Sequence, residues 1–456
     1  MNSESTEVDI SHVTRPELII QPDITAICVP VMERLDEGIA GCWHMHMRST
    51  CGREVFPLLD ASIPINGREL FFSPMPADPS VQDVQDLCKW SKQSRDAWMD
   101  KAEAPTTFDL FCQIATRIDR YVYFPEEYRQ GHIATLSVWV LMTYLFRAFP
   151  AVPYLYFSGP LGSGKTRVME VLAQLSWRPL TASSLTGPTL FRGRHATGGA
   201  FFLDEAERMK EDSPEIAELR SMLLAGYKRG GTAKRLEPVG DTYRMVSFDV
   251  YGPTVLACIK GLPAALSSRC ITLRMMRAPK GEPRTKTSID DNPEERQNIV
   301  DGLHCWALEH GYAAATCDVD SHGLANRDAE LWMPLLRIAS HTGDAGLVEL
   351  LAKHASEMVE ASAADKAPDA DPVFLNALYV LRKSGKLPAP QDVLDEARKI
   401  EDGCFESYGP KGLSNVLKNY GIKTQRSNGK RVYRTEISYI LKAAENYGFA
   451  LGVDDE

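Results

Sequence analysis

The residues best equipped for chemistry form the run Gly159–Thr166, GPLGSGKT, which follows an apolar stretch, Tyr154–Phe157, and opens a helix-forming one, Lys165–Leu175. That order predicts strand, loop and helix. Glycines at 159, 162 and 164 let the backbone curl so that amide N–H groups converge on phosphate oxygens. The helix N-terminus adds the positive end of its dipole. Lys165 is placed to reach the outer phosphates, and the Thr166 hydroxyl to hold Mg2+. Pro160, Leu161, Ser163 and Arg167 complete the expected contacts to an ATP molecule. The competing reading is a glycine-rich turn with a surface lysine.

A second constellation, AFFLDEAE, starts at Ala200. Its four apolar residues, Ala200–Leu203, read as a buried strand. At the strand's end Asp204 would hold Mg2+ and Glu205 would polarise an attacking water. An acidic strand end at a helix start is the alternative. A transition state that spreads negative charge also needs a cation beside the γ-phosphate. Arg269, in ALSSRC, is the candidate, acting across a subunit boundary; a surface salt bridge is the alternative.

Two basic segments stand out in a chain of 456 residues with net charge −10. Residues 228–244, KRGGTAKRLEPVGDTYR, carry five Lys/Arg and two acidic residues and read as a hairpin over 228–250 with its tip at Gly240-Asp241. Lys228, Arg229, Lys234 and Arg235 are the expected contacts to a DNA single strand. Residues 411–434 hold seven basic residues and no acid, in a helix-then-hairpin order that reads as a winged helix. Lys430 and Arg431 on its wing would meet duplex phosphates. A solvated hairpin and a protein-binding winged helix are the alternatives.

Strands alternating with helices between Tyr121 and Met275 argue for a parallel α/β sheet. The expected order is 1–18 disordered, 19–105 a β-rich and helical accessory region, 106–276 an α/β core, 277–390 a helical lid and linker, and 391–456 the winged-helix-like domain. Residues 80–120 read as two helices, the second capped near Thr106. Apolar content of 44% and charged content of 25% are ordinary for globular chains. Ten cysteines without a C-x-x-C pair, a polar acidic start, and no apolar run longer than Ile133–Phe146 fit a cytoplasmic protein with reduced thiols and no membrane span. Cys42, His44, His46 and Cys51 lie close together, but their spacing matches no zinc-finger pattern, and an ordinary half-buried strand is the expected reading.

Taken in order, GPLGSGKT, FFLDEAE, the basic hairpin and SSR resemble AAA+ ATPases carrying the hairpin insertion of ring helicases. The text RYVYFPEEYRQGHIATLSVWV, LFRAFPAVPYLYFSGPLGSGKTRVMEVL, GYKRGGTAKR, FDVYGPTVLACIKGLPAALSSRCITLRM and RDAELWMPLLRIAS is similar to a bacterial and phage family known as a domain of unknown function, found in replication proteins of mobile elements. The likeness covers about 120–345, and more loosely 405–448. It implies an oligomeric, hexameric, Mg2+- and ATP-dependent DNA helicase, with Arg269 as a finger in trans and Arg327 as a lid arginine touching the nucleotide. Met142-Thr143 stands where the family often has His-Thr. The sensor strand ends Ala257-Cys258-Ile259-Lys260, so Lys260 is the candidate sensor. The alternative is a helicase loader or partner-remodelling ATPase that unwinds nothing itself.

Overall fold

A computed structural model describes residues 13–36, 38–65, 68–73, 75, 77–182, 186–204, 206–211, 213–239, 242–259, 261–364, 370–401, 405, 408–427, 429–446, 449 and 451. Glu205, Lys260, the Gly240-Asp241 hairpin tip and residues 1–12 lie outside them. The chain divides at Val359/Glu360 into two compact units.

In the first unit the chain begins with strands β1 (Val13–Thr14), β2 (Leu18–Gln21), β3 (Ile24–Leu35), β4 (Gly38–Ser49), β5 (Gly52–Pro57), β6 (Ser62–Ile65) and β7 (Arg68–Phe72). β2 to β5 form an antiparallel sheet in sequence order, and β1, β7 and β6 a smaller one. Strand structure therefore starts at Val13, inside the region expected to be disordered. Three helices follow rather than two: α1 (Val81–Leu87), α2 (Lys92–Met99) and α3 (Thr107–Tyr121). The Pro- and Ala-containing stretch between α2 and α3 ends in a capping box, in which Thr106 Oγ1 accepts from the Asp109 amide at 3.1 Å and Asp109 returns an acceptor to the Thr106 amide.

Then come α4 (Glu126–Thr143), β8 (Tyr154–Ser158), α5 (Lys165–Leu175), β9 (Leu180–Ala182), α6 (Gly187–Thr197), β10 (Phe201–Leu203), α7 (Pro214–Ala225), the hairpin β11 (Thr232–Val239) and β12 (Thr242–Asp249), β13 (Thr254–Cys258), α8 (Ala264–Ser267) and β14 (Cys270–Arg274). β9 and α6 are additions to the sequence reading. The central sheet is wholly parallel, in the order β14-β8-β13-β10-β9. Both faces are covered, so its strands read as continuous apolar runs rather than alternating ones. Side-chain alternation divides each strand between two cores. Leu155, Phe157, Phe202, Val255, Ala257, Ile271 and Leu273 face a large core with α3, α4 and α5. Tyr154, Tyr156, Phe201, Leu203, Leu256 and Cys258 face a smaller one with α6 and α7.

Helices α9 (Pro293–Thr316), α10 (Asn326–Ser340) and α11 (Ala345–Ala364) join the larger core through Leu303, Trp306, Leu335 and Leu351. So do Leu18, Ile20, Ile27 and Val29 from the N-terminal sheet. Residues 19–105 are thus not a separate accessory domain: Arg53 and Trp98 both donate to the Glu309 carboxylate of α9 at 2.8 Å. A buried charge network ties the same sheet to the hairpin root. Arg147 bridges Glu17 and Asp249, the last residue of β12, at 2.6 Å each. Burial alone would raise the Glu17 carboxyl, but Arg147 and Arg15 outweigh it and hold it down at about 2.

In the second unit, α12 (Ala370–Lys383), α13 (Pro390–Ile400), α14 (Pro410–Asn419), the hairpin β15 (Thr424–Ser427) and β16 (Lys430–Tyr433), and α15 (Ile437–Asn446) enclose a core of Phe374, Leu378, Leu394, Leu413, Leu417, Tyr433 and Ile440. α12 therefore belongs with the C-terminal helices, and the break falls near 360 rather than at 390. No described helix is long and apolar enough to cross a membrane.

Candidate nucleotide site and basic hairpin

Because the central sheet is parallel, the ends of its strands gather on one edge, and β8 delivers Gly159–Thr166 to it. Gly162 and Gly164 have φ of +74° and +88°, which side chains rarely adopt. A Cβ at Gly159 would collide with the Met275 carbonyl oxygen just beyond β14. The curl is therefore available to this loop only with glycine. Lys165 is nearly buried, and its ammonium donates to the Gly159 and Pro160 carbonyls at 2.8 and 3.0 Å. Ser163 Oγ is buried with no hydrogen-bond partner among the described residues.

β10 brings Asp204 to the same edge, two strands from β8 with β13 between them. The Thr166 hydroxyl donates to Asp204 Oδ2 at 2.8 Å. A hydroxyl and a carboxylate in that pairing are hard-oxygen donors suited to Mg2+. With the lysine, the loop and the unpartnered serine hydroxyl, the residues fit a magnesium–nucleotide. Glu205, the expected base, lies outside the described residues.

Arg277, which sequence reading missed, also reaches the loop: its Nη2 donates to the Leu161 carbonyl at 2.9 Å and lies 3.3 Å from where a Gly162 Cβ would stand. Its signal is the position three residues past β14, a strand parallel to β8. Arg167, expected to touch the nucleotide, instead donates to the Tyr121 and Arg284 carbonyls at 2.6 and 2.8 Å and to that of Thr287, pinning the segment after β14 against α3.

Arg269 lies at the opposite edge. It precedes β14, and its carbonyl accepts from the amide of Tyr154, the first residue of β8. A five-residue strand of roughly 3.3 Å per residue separates it from its own loop. Its Nε donates to the Leu224 carbonyl at 3.1 Å, and its guanidinium lies 4.9 Å from the Tyr227 ring centroid. Arg327, the candidate lid arginine, lies over the same ring at 5.1 Å. The Tyr227 carbonyl itself accepts from the Val152 amide just ahead of β8, which fixes both arginines at this edge.

The basic residues divide likewise. Lys228 pairs with Glu330 at 2.8 Å, and that carboxylate holds its ammonium above the ordinary lysine value. Arg229 donates to the Phe149 carbonyl at 3.1 Å. Both therefore belong to the hairpin root. In the hairpin, register alternates the faces. Arg235 and Glu237 point toward α6 and α7, where Arg235 pairs with Glu218 and lies over the Phe191 ring, and Glu237 pairs with Arg192 at 2.8 Å. Lys234, Leu236, Tyr243 and Met245 share the other face, and all four are exposed, Tyr243 at 74%. In the C-terminal unit Lys430 and Arg431 are exposed on β16.

The four residues Cys42, His44, His46 and Cys51, read from sequence as an ordinary half-buried strand rather than a metal site, do not converge on one point. His46 is buried with its ring against Trp90 and Trp98, and Cys51 is exposed at the β4–β5 turn. Cys42 and His44 remain together. Burial, and then the Glu33 and Asp78 carboxylates, push the Cys42 thiol up to about 11.

A family model described as a protein of unknown function (DUF3631) matches residues 274–439, less than half of the chain and wholly C-terminal to the phosphate loop. No curated protein matches the sequence. Among solved structures, the chain is similar to an apo form of the NrS-1 C-terminal region, at 9% identity and TM-score 0.35, covering 89% of this chain and 95% of that one. It is similar to a full-length MCM homologue from Methanopyrus kandleri, at 9% identity and TM-score 0.35, covering 74% and 77%. The third, SCCmec type IV Cch, described as an active helicase, gives 8% identity and TM-score 0.40 with coverage of 92% and 95%. These scores are below the level at which a common fold follows.

Proposed function

We propose that this chain is an ATP-hydrolysing motor of AAA+ type that assembles into a ring, a hexamer, and acts on DNA as a helicase. The observation that carries the ATPase reading is the Thr166–Asp204 hydrogen bond inside a curled Gly159–Thr166 loop. Lys165 gives up the Gly159 and Pro160 carbonyls to engage the β- and γ-phosphates. Loop amides and the start of α5 hold the phosphate charge. Thr166 and Asp204 hold Mg2+, which supplies charge neutralisation at the phosphates. Glu205, next in sequence, takes the proton of the attacking water.

The separation of Arg269 and Arg327 from their own loop supports a site completed by a neighbour. A heterologous, head-to-tail interface that closes into a ring sets one subunit's Tyr227 edge against the next subunit's loop edge. Arg269 then meets the developing charge on the γ-phosphate, and Arg327 supports it.

DNA is engaged by the exposed hairpin face. Lys234 contacts phosphates while Tyr243, flanked by Leu236 and Met245, stacks on bases, a mode indifferent to sequence. Arg235 anchors the hairpin to α7 and moves it with the nucleotide domain. The C-terminal unit, a winged-helix-like module, holds duplex through Lys430 and Arg431. Steady-state hydrolysis with and without single-stranded DNA, beside a strand-displacement assay, tests the whole reading. DNA-stimulated hydrolysis with displacement supports it; stimulation without displacement makes the protein a loader, and no stimulation removes DNA from the account.

A further inference from the structure

The long β3–β4 hairpin places a mixed set of ligands on one face. Its register sets Val29 opposite His44, Val31 opposite Cys42 and Glu33 opposite Ala40, so Glu33, Cys42 and His44 project to the same side. His44 Nε2 is 2.8 Å from Glu33 Oε1 and 3.6 Å from Cys42 Sγ. The three ligand atoms all lie within 4.8 Å of one another. Around a tetrahedral Zn2+, thiolate, imidazole and carboxylate atoms stand roughly 3.4–3.7 Å apart, so the triad needs only small rotamer shifts to close on an ion. Each of the three residues is half-buried, which leaves one side open. The exposed Asp78 acts electrostatically on Cys42, and its neighbour Pro79 presses its carbonyl against Gly41, the residue before Cys42 on β4.

We propose that Glu33, Cys42 and His44 form a site for a thiophilic divalent ion of the Zn2+ class, with water or the Asp78 carboxylate in the fourth position. The donor set selects against Mg2+ and Ca2+, which take oxygen ligands, so this site is chemically distinct from the one at Thr166 and Asp204. Strand alternation keeps His44 beside Cys42, while His46, two residues further along the same face, packs into the tryptophan cluster. With the Asp78 carboxylate as the fourth ligand, the bound ion clips the outer half of the hairpin to the loop that leads into α1.

The test is a Co2+ titration of the chelator-treated full-length protein, followed by competition with Zn2+. One equivalent of Co2+ giving a thiolate charge-transfer band and tetrahedral visible bands, displaced by Zn2+, is the expected result. Cys42→Ser removes the thiolate band, His44→Asn and the more exposed Glu33→Gln each weaken binding at least about tenfold, and Cys51→Ser changes nothing. Absence of a thiolate band in the unsubstituted protein, its persistence in folded Cys42→Ser, or unchanged affinity in Glu33→Gln overturns the proposal. Glu33→Gln keeps the shape of the residue and carries the test if Cys42→Ser does not fold.

Discussion

Thr166 and Asp204 meet at 2.8 Å although they stand 38 positions apart in sequence and β13 lies between the strands that carry them. The contact exists because β8 and β10 run parallel and end on one edge. If it marks the Mg2+ position, Asp204→Asn or Thr166→Ala lowers kcat for ATP hydrolysis by roughly 100-fold or more, since a metal ion contributes several kcal/mol to transition-state charge. Nucleotide binding in chelator is retained. Hydrolysis rates across a Mg2+ titration check this.

Arg277 holds the loop through the Leu161 carbonyl. Its removal loosens the loop without removing a transition-state contact, so Arg277→Ala raises KM for ATP several-fold while kcat changes little. Gly159→Ala, which drives a Cβ into the Met275 carbonyl, abolishes nucleotide binding. Fluorescent-nucleotide titration separates the two.

The two faces of the hairpin predict different phenotypes. Tyr243→Ala weakens single-strand binding by about 1–3 kcal/mol, the usual worth of one stacked base. Lys234→Ala flattens the salt dependence of binding by about 0.7 in log–log slope. Arg235→Ala acts on the hairpin's attachment to α7, through loss of the Glu218 pair, and lowers coupling between DNA binding and hydrolysis more than DNA affinity. Binding isotherms at several salt concentrations distinguish these outcomes.

Buried histidines set the acid limit of the fold, His132, His304 and His354 among them. Burial holds His132 down at about 4; burial, and for His354 the neighbouring His132, holds His304 and His354 at about 3. Their native pKa values are below the unfolded value, so their contribution is complete above about pH 6.5 and is lost as pH falls toward 4 and below. Denaturant midpoints should decline steadily between pH 6.5 and 4. His354→Gln, which can still accept from or donate to Thr135 and His132, should make that decline shallower.

The elements that carry the candidate site were legible because their signals are local. A phosphate loop is a contiguous string with a strand before it and a helix after it, and α5 spans the predicted Lys165–Leu175. The same holds for β8, β14 and the paired strands β11 and β12. β9 and α6 escaped because their text is poor in local preference: β9 is three residues long, and α6, GPTLFRGRHAT, is built from weak helix formers. Tertiary packing of Leu190 and Phe191 under the sheet decides that segment.

Side-chain roles were less legible than positions. Arg167, Lys228, Arg229 and Arg235 have the right type and place in sequence for ligand contacts, yet each spends donors on a carbonyl or carboxylate of this chain. A list of basic residues does not reveal which face of a hairpin packs. Arg277 and the Arg269–Tyr227–Arg327 stack depend on which end of a parallel strand a residue adjoins, and Glu33 reaches Cys42 and His44 only through cross-strand register. Those facts appear when the topology is known.

The central claim is that one subunit's Arg269 completes a site built on its neighbour's phosphate loop. Mixing the Lys165→Ala and Arg269→Ala variants tests it most directly, because each lacks a different half. Both variants alone should be inactive in ATP hydrolysis, and the mixture should regain activity as subunits exchange and a few interfaces pair an intact loop with an intact arginine. Full turnover by Arg269→Ala alone, or a mixture that stays inactive although it assembles, would contradict the account.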